Sequence, residues 1–239
     1  MNPFKFIWAL WGALSFLFVV GVCIPAVIFI LSFNIGKSNA RRNALRVINF
    51  GSKMLMILLL IKVRVIGKKN AGSHTTYIVV SNHPSLLDPP VVAMSVPLSM
   101  TFLAKQELQK IPLFGFIVKH LTVTVRRGDK ENRAKSLEAL KQSLSNGLSI
   151  FIAPEGTRNK SGEPLAMFYD GAFKLALETR LPLLPVTTVG TAKLLSPFKA
   201  VQLSPGFVSC FIDQAIEIGD NDSVETLKEK VRNTMLTHL

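Results

Sequence analysis

The stretch Ser81-Asn82-His83-Pro84-Ser85-Leu86-Leu87-Asp88-Pro89 sets an imidazole five residues before a carboxylate. A histidine ring held by a carboxylate is the arrangement that takes a proton from a hydroxyl near neutral pH. The preceding run, residues 75–80, is apolar and β-branched, and Pro84 suits a first helical position. The pattern predicts a strand, a turn, and His83 at a helix N-terminus, with Asp88 about one and a half helical turns further on. A single His and Asp at this spacing is a pattern many proteins carry by chance, so the reading needs a second site. One follows residues 149–153: Pro154-Glu155-Gly156-Thr157-Arg158-Asn159-Lys160. Gly156 allows close backbone approach to a ligand, and Thr157, Arg158 and Lys160 bring donors suited to a phosphate. Both clusters leave the carboxyl end of a predicted strand, where open α/β sheets bind ligands.

The elements that must position these residues alternate from residue 62 onward. Strands are predicted at 62–66, 75–80, 99–103, 121–125, 149–153, 183–188 and 207–218. Helices are predicted at 84–94, 112–119, 130–146, 171–179 and 223–238. In the third helix Leu137, Leu140 and Leu144 keep helical spacing, and in the last Val224, Leu227, Val231 and Met235 do. Asp222 and Glu225 look like the capping box of that last helix. Alternation of this kind predicts an α/β fold with a mostly parallel central sheet flanked by helices.

The first 61 residues are of another kind. Residues 4–33 carry one charge, Lys5, and are long enough to span a bilayer, although Gly21 and Pro25 also suit a kinked, half-inserted helix. Residues 38–61 predict a second helix with Arg42, Arg46, Asn49 and Lys53 on one stripe and apolar residues opposite. The chain therefore divides into N-terminal membrane-anchoring helices, 1–61, and a catalytic domain, 62–239. Of the net charge of +13, residues 1–87 supply ten basic residues and no acidic one. Basic charge interleaved with long apolar runs points to anionic membrane lipids, and with only two Tyr and two Trp for stacking it argues against nucleic acid. Lys37, Arg41 and Arg42 after the first helix place that flank in the cytoplasm. Cys23 and Cys210 stand far apart and imply neither a disulfide framework nor a metal knuckle. No His/Cys/carboxylate group has ligand spacing, so no metal is expected.

Four ordered blocks in residues 81–186 resemble the glycerolipid acyltransferase family, the 1-acyl-sn-glycerol-3-phosphate (lysophosphatidic acid) acyltransferases. They are His83-x4-Asp88; Lys105-Gln106-Glu107-Leu108 with Pro112, Gly115 and Arg126; Pro154-Glu155-Gly156-Thr157-Arg158; and Leu181-Pro182-Leu183-Leu184-Pro185-Val186. The resemblance implies a membrane-bound O-acyltransferase with its site on the cytoplasmic face, at the inner membrane in a bacterium. His83 would act as general base on the free hydroxyl of a lysophospholipid acceptor, with Asp88 orienting the ring. The alkoxide would attack the thioester of acyl-CoA or acyl-carrier protein directly, with no cofactor and no covalent intermediate. Arg158, Arg126 and Lys105 would hold the acceptor phosphate, and Glu155 would contact acceptor hydroxyls or order its loop. Backbone N–H groups near Gly156 or the helix start at Pro84 would serve an oxyanion. Tyr169-Asp170-Gly171 departs from the family, which often carries a basic residue before the glycine. That departure leaves room for another lysophospholipid, a lyso-ornithine lipid or glycerol 3-phosphate as acceptor. A non-catalytic lipid-binding protein is the reading from another class, and the intact His83/Asp88 pair argues against it.

Overall fold

The computed structural model describes residues 3–33, 39–72, 74, 76–126, 128–198 and 202–239. Lys37, Thr75 and Arg127 lie outside them. Two long helices lead: α1 (Pro3–Phe33) and α2 (Asn39–Leu58). The remainder alternates: β1 (Ile61–Ile66), β2 (Ile78–Ser81), α3 (Asp88–Ser95), β3 (Met100–Lys105), α4 (Phe114–Leu121), β4 (Thr122–Val125), α5 (Lys130–Ser145), β5 (Ser149–Ile152), α6 (Gly171–Thr179), β6 (Leu183–Val189), the short α7 (Thr191–Leu194), β7 (Gly206–Ile212) and α8 (Val224–Leu236).

The seven strands form one sheet in the order β1-β7-β6-β2-β5-β3-β4. From β6 to β4 every pairing is parallel, whereas β7 runs antiparallel to β6 and parallel to β1. The mostly parallel α/β sheet expected from the sequence is thus present. β2 and β5 are buried along their whole length, as strands covered on both faces must be. Side chains alternate across the sheet with period two. Tyr77 and Val79 join a core with α1, α2 and α3, while Ile78 and Val80 join the core under α5, α6 and α8. A third cluster locks α1, α2 and α4 together through Val20, Val27, Ala44, Leu45, Ile117 and Leu121. The N-terminal helices therefore share their packing with the sheet.

α1 is long and apolar enough to cross a membrane, and only a third of it is buried. Phe4, Ile7, Leu10, Leu14, Phe18 and Phe29 stay exposed on it. Pro25 lies inside the helix without ending it.

Three expectations about element ends are corrected, two at helix starts and one at the end of a strand. The helix after β2 begins at Asp88 and not at Pro84, so residues 84–87 are a turn and His83 stands before it. The capping box of α8 is made by Ser223 and Thr226. Asp222 instead accepts from Gly219 N–H (2.9 Å) and pairs with Lys230. The last strand ends at Ile212, with only an isolated bridge from Ile216 to Leu183 beyond it. Two leucines have positive φ, Leu60 (φ 51°) and Leu113 (φ 64°, ψ −58°), the latter at the centre of a tight turn in which Phe114 N–H donates to Pro112 C=O at 2.7 Å. For a branched residue this costs about 1–3 kcal/mol each.

Candidate active site

The parallel order sets the candidate residues side by side at the carboxyl ends of the strands. His83 follows β2, the Glu155–Arg158 loop follows β5, Lys105 ends β3 and Arg126 follows β4, in the spatial order of those strands. Ser81 pairs in register with Val186 on β6, and Val80 with Ile152 on β5. Extending those registers by a few residues brings His83 level with Thr188 on one side and Glu155 on the other.

Between His83 and Asp88 the chain makes a tight turn, and the carboxylate closes it. Asp88 Oδ2 lies 3.0 Å from His83 Nδ1 and accepts from Ser85 N–H at 2.6 Å. Its other oxygen accepts from the Thr188 hydroxyl at 2.9 Å. Asp88 is fully buried, and the His83 side chain is 18% exposed. An ionised carboxylate only accepts hydrogen bonds, so Nδ1 carries the proton and Nε2 keeps its lone pair. The His–Asp contact is therefore a product of turn geometry, not of helical spacing.

A second buried carboxylate fixes the backbone of His83. Glu155 Oε1 accepts from His83 N–H at 2.7 Å and Oε2 from Ala166 N–H at 2.9 Å. Asn159 N–H donates to His83 C=O at 2.8 Å, so the peptide groups on either side of His83 are both clamped by the β5 loop. Glu155 is only 2% exposed, and burial pushes its carboxyl up, against the opposing pull of the two N–H groups. Of the two roles the sequence allowed, the hydrogen bonds spend both Glu155 oxygens on ordering the loop. Gly156 sits at φ 69°, a conformation that favours glycine, and its N–H is taken by Ala153 C=O at 2.9 Å. That N–H and Pro84, which has none, are thus not free for an oxyanion.

Sequence reasoning missed Asn82, Ser85, Asn159 and Thr188. Asn82 uses its amide as an extra strand residue: its NH2 donates to Thr188 C=O (2.9 Å), and its oxygen accepts from Thr188 N–H (2.8 Å). Ser85 ties the turn to Leu195 C=O at 2.8 Å. The available signal was polarity at buried strand ends, since Asn82, Ser85 and Thr188 are all almost fully buried.

The basic candidates differ. Arg158 is half-buried, and no hydrogen bond or ion pair holds it among the described residues. Lys105 and Thr157 are exposed. Arg126 donates to Gln106 Oε1 at 3.1 Å and reaches Asp129 at 4.0 Å, at the sheet's edge strand. With strands about 4.8 Å apart it stands roughly three spacings, about 14 Å, from β2. Asp170, the departure from the family pattern, is neutralised locally by Lys228 and Lys174, which hold its carboxyl below the usual range. His74, His120 and His238 have structural partners in Glu217, Phe116 C=O and Asp213. Cys210 lies buried on β7 opposite Thr188, and burial pushes its thiol up to about 11. Among the described residues no cluster of His, Cys and carboxylates forms a metal site.

A histidine ring held by a buried carboxylate at the carboxyl ends of a parallel sheet, with Arg158 on the neighbouring β5 loop, suits deprotonation of a hydroxyl on an anionic substrate. The Acyltransferase family profile matches residues 62–189, and the chain belongs to that family. Within it, the chain is 32% identical over 157 residues to the chloroplastic 1-acyl-sn-glycerol-3-phosphate acyltransferase of Arabidopsis thaliana, covering 65% of this chain and 44% of that one. It is 29% identical over 193 residues to the 1-acyl-sn-glycerol-3-phosphate acyltransferase of Saccharomyces cerevisiae, covering 78% of this chain and 62% of that one. The chain thus spans less than two thirds of the length of these relatives. The crystal structure of the 1-acyl-sn-glycerophosphate (LPA) acyltransferase PlsC from Thermotoga maritima superposes with a TM-score of 0.84 at 27% identity, over 98% of this chain and 94% of that one.

Proposed function

We propose that the protein is a membrane-bound 1-acyl-sn-glycerol-3-phosphate O-acyltransferase, converting lysophosphatidic acid to phosphatidic acid. The observation that carries the reading is the 3.0 Å contact between the His83 ring and the fully buried Asp88. His83 Nε2 takes the proton of the acceptor's free hydroxyl, and the oxygen attacks the thioester carbon of acyl-CoA or acyl-carrier protein. Asp88 stabilises the imidazolium as it forms. The thiolate leaves and takes the proton back from His83, so no acyl group rests on the protein. Arg158 holds the acceptor phosphate, with Lys105 and Arg126 as outer cations. The exposed apolar face of α1 keeps the site at an anionic membrane, on the cytoplasmic side.

Asp170 had opened the way to other acceptors. Its pairing with Lys228 and Lys174 cancels its charge locally, which favours the phosphate-bearing acceptor. The test uses purified protein in nanodiscs with acyl-CoA and a panel of lysolipids. Phosphatidic acid should form fastest, and His83→Ala should abolish turnover. Equal turnover by wild type and His83→Ala removes the general-base assignment.

A further inference from the structure

The segment between the β5 loop and α6, residues 161–170, carries no helix or strand, yet it is bonded back to that loop along its length. Asn159 NH2 donates to Glu163 C=O at 2.9 Å, Ala166 N–H to Glu155 Oε2 at 2.9 Å, and Tyr169 N–H to Pro154 C=O at 2.8 Å. Backbone without a ladder of its own keeps its place only through such bonds and through whatever grips it from outside.

The outside grip is α8. Leu227, Val231 and Met235 form its buried stripe, and Lys228 and Arg232, four residues apart, stand together on its flank. Lys228 pairs with Asp170 at one end of the segment. Arg232 Nη1 donates to Ala166 C=O at 3.1 Å and Nη2 to Leu165 C=O at 3.3 Å. Its guanidinium also lies 5.8 Å over the ring of buried Phe168. Among the described residues Arg232 has no carboxylate partner, so its charge falls on these two carbonyls. Leu165 C=O and Ala166 N–H are the two ends of one peptide group. A line of polar atoms therefore runs from the Arg232 guanidinium through that peptide to the Glu155 carboxylate, and from there to His83 N–H at 2.7 Å. A cation on the carbonyl polarises the peptide and makes its N–H a better donor to the carboxylate.

We propose that Arg232 is a positioning residue: through the Leu165–Ala166 peptide it fixes Glu155, and through Glu155 the backbone of His83. As an effect on rate this rests on the acyl-transfer reading. Glu155 is held by one N–H on each oxygen, so a shift of Ala166 turns the carboxylate and carries His83 with it. The bond from the His83 ring to Asp88 sets the tautomer, whereas the line from Arg232 sets where the ring stands. Placement decides rate because a general base works only with Nε2 within hydrogen-bond reach of the hydroxyl. The pairing of Lys228 with Asp170 closes the same clasp at the segment's other end, which gives the unusual acid at this position a part in it.

The test compares the full chain as wild type, Arg232→Gln, Arg232→Lys, Glu155→Gln and the Arg232→Gln/Glu155→Gln double variant, in nanodiscs with acyl-CoA and lysophosphatidic acid. Arg232→Gln should lower kcat about tenfold and leave both KM values within about twofold. Arg232→Lys keeps the charge and one bond, and should return kcat to within about threefold of wild type. In the Glu155→Gln background the Arg232→Gln change should cost less than about twofold, because the line is already cut. A residue that serves the fold alone would lower the melting temperature and leave kcat unchanged well below it, or would add in full to Glu155→Gln; either result overturns the proposal. Selective 15N-histidine labelling reads the backbone of His83 without turnover. Of the chain's four histidines, the His83 amide signal, assigned by its loss in His83→Ala, should move upfield in Arg232→Gln as its hydrogen bond weakens, while those of His74 and His120 stay. An unmoved His83 signal also overturns the proposal. Failure of the acyl-transfer reading looks different: wild type makes no phosphatidic acid, or His83→Ala turns over equally, and the histidine signal then still decides whether Arg232 positions His83.

Discussion

Replacing Asp88 by Asn separates the charge of the dyad from its geometry. The amide oxygen can turn toward His83 Nδ1–H and Ser85 N–H, leaving the NH2 toward the Thr188 hydroxyl. Thr188 Oγ1 also lies 3.2 Å from Asn82 Oδ1, so the hydroxyl can donate there and accept from the new amide. Every polar group keeps a partner, and the ring keeps the same tautomer. What is lost is the full negative charge beside the imidazolium. With charge centres about 4 Å apart and an effective dielectric of about 20, that interaction is about 4 kcal/mol. The retained amide hydrogen bond returns about 1 kcal/mol. The remaining loss of about 3 kcal/mol corresponds to a fall in kcat of roughly 10²-fold, with little change in KM. The assay is release of CoA thiol from nanodisc-bound enzyme, with circular dichroism to follow the melting temperature. A variant that keeps more than a tenth of wild-type kcat refutes the charge argument. One that fails to fold refutes the hydrogen-bond argument.

Glu155→Gln should lower the melting temperature, because an NH2 then faces either His83 N–H or Ala166 N–H, a cost of about 1–3 kcal/mol. The same variant tests a pH dependence. Burial raises the native Glu155 carboxyl, so the native state holds its proton at pH values where the unfolded chain has lost it. Stability therefore falls as pH rises from the ordinary glutamate value through the raised one, and urea titrations should show that slope in wild type and not in the glutamine variant. Arg158→Ala should raise KM for a phosphate-bearing acceptor by roughly 10–100-fold and leave the acyl-donor KM alone; an effect on the donor alone would move Arg158 to the other substrate. Cys210, with its thiol near 11, is about one part in a thousand thiolate at pH 8. Peptide mass spectrometry after alkylation of native enzyme should find it unmodified, and rapid labelling would contradict its burial.

Residue order alone determined a good deal. Seven apolar runs separated by amphipathic ones specify an α/β sheet because the strand and helix periods differ, and all seven strands are present, six of them within a few residues of the predicted bounds and the last ending at Ile212, six residues early. The long apolar α1 and the basic stripe of α2 were equally legible, since length and charge pattern are local properties. The sequence also placed His83 and Asp88 in one stretch, but for a helical reason that does not hold. Only the tertiary structure decided that the contact is closed by a turn whose carboxylate is shared with Ser85 and with Thr188, a hundred residues away. It likewise decided that Glu155 grips the backbone of His83, that the Asn82 amide continues the pairing of β2 with β6, and that Asp170 is cancelled by Lys228. These are hydrogen bonds and ion pairs between strand ends and helices far apart in the chain. Neither periodicity nor spacing carries information about which of those partners meet once the sheet has set its strand order.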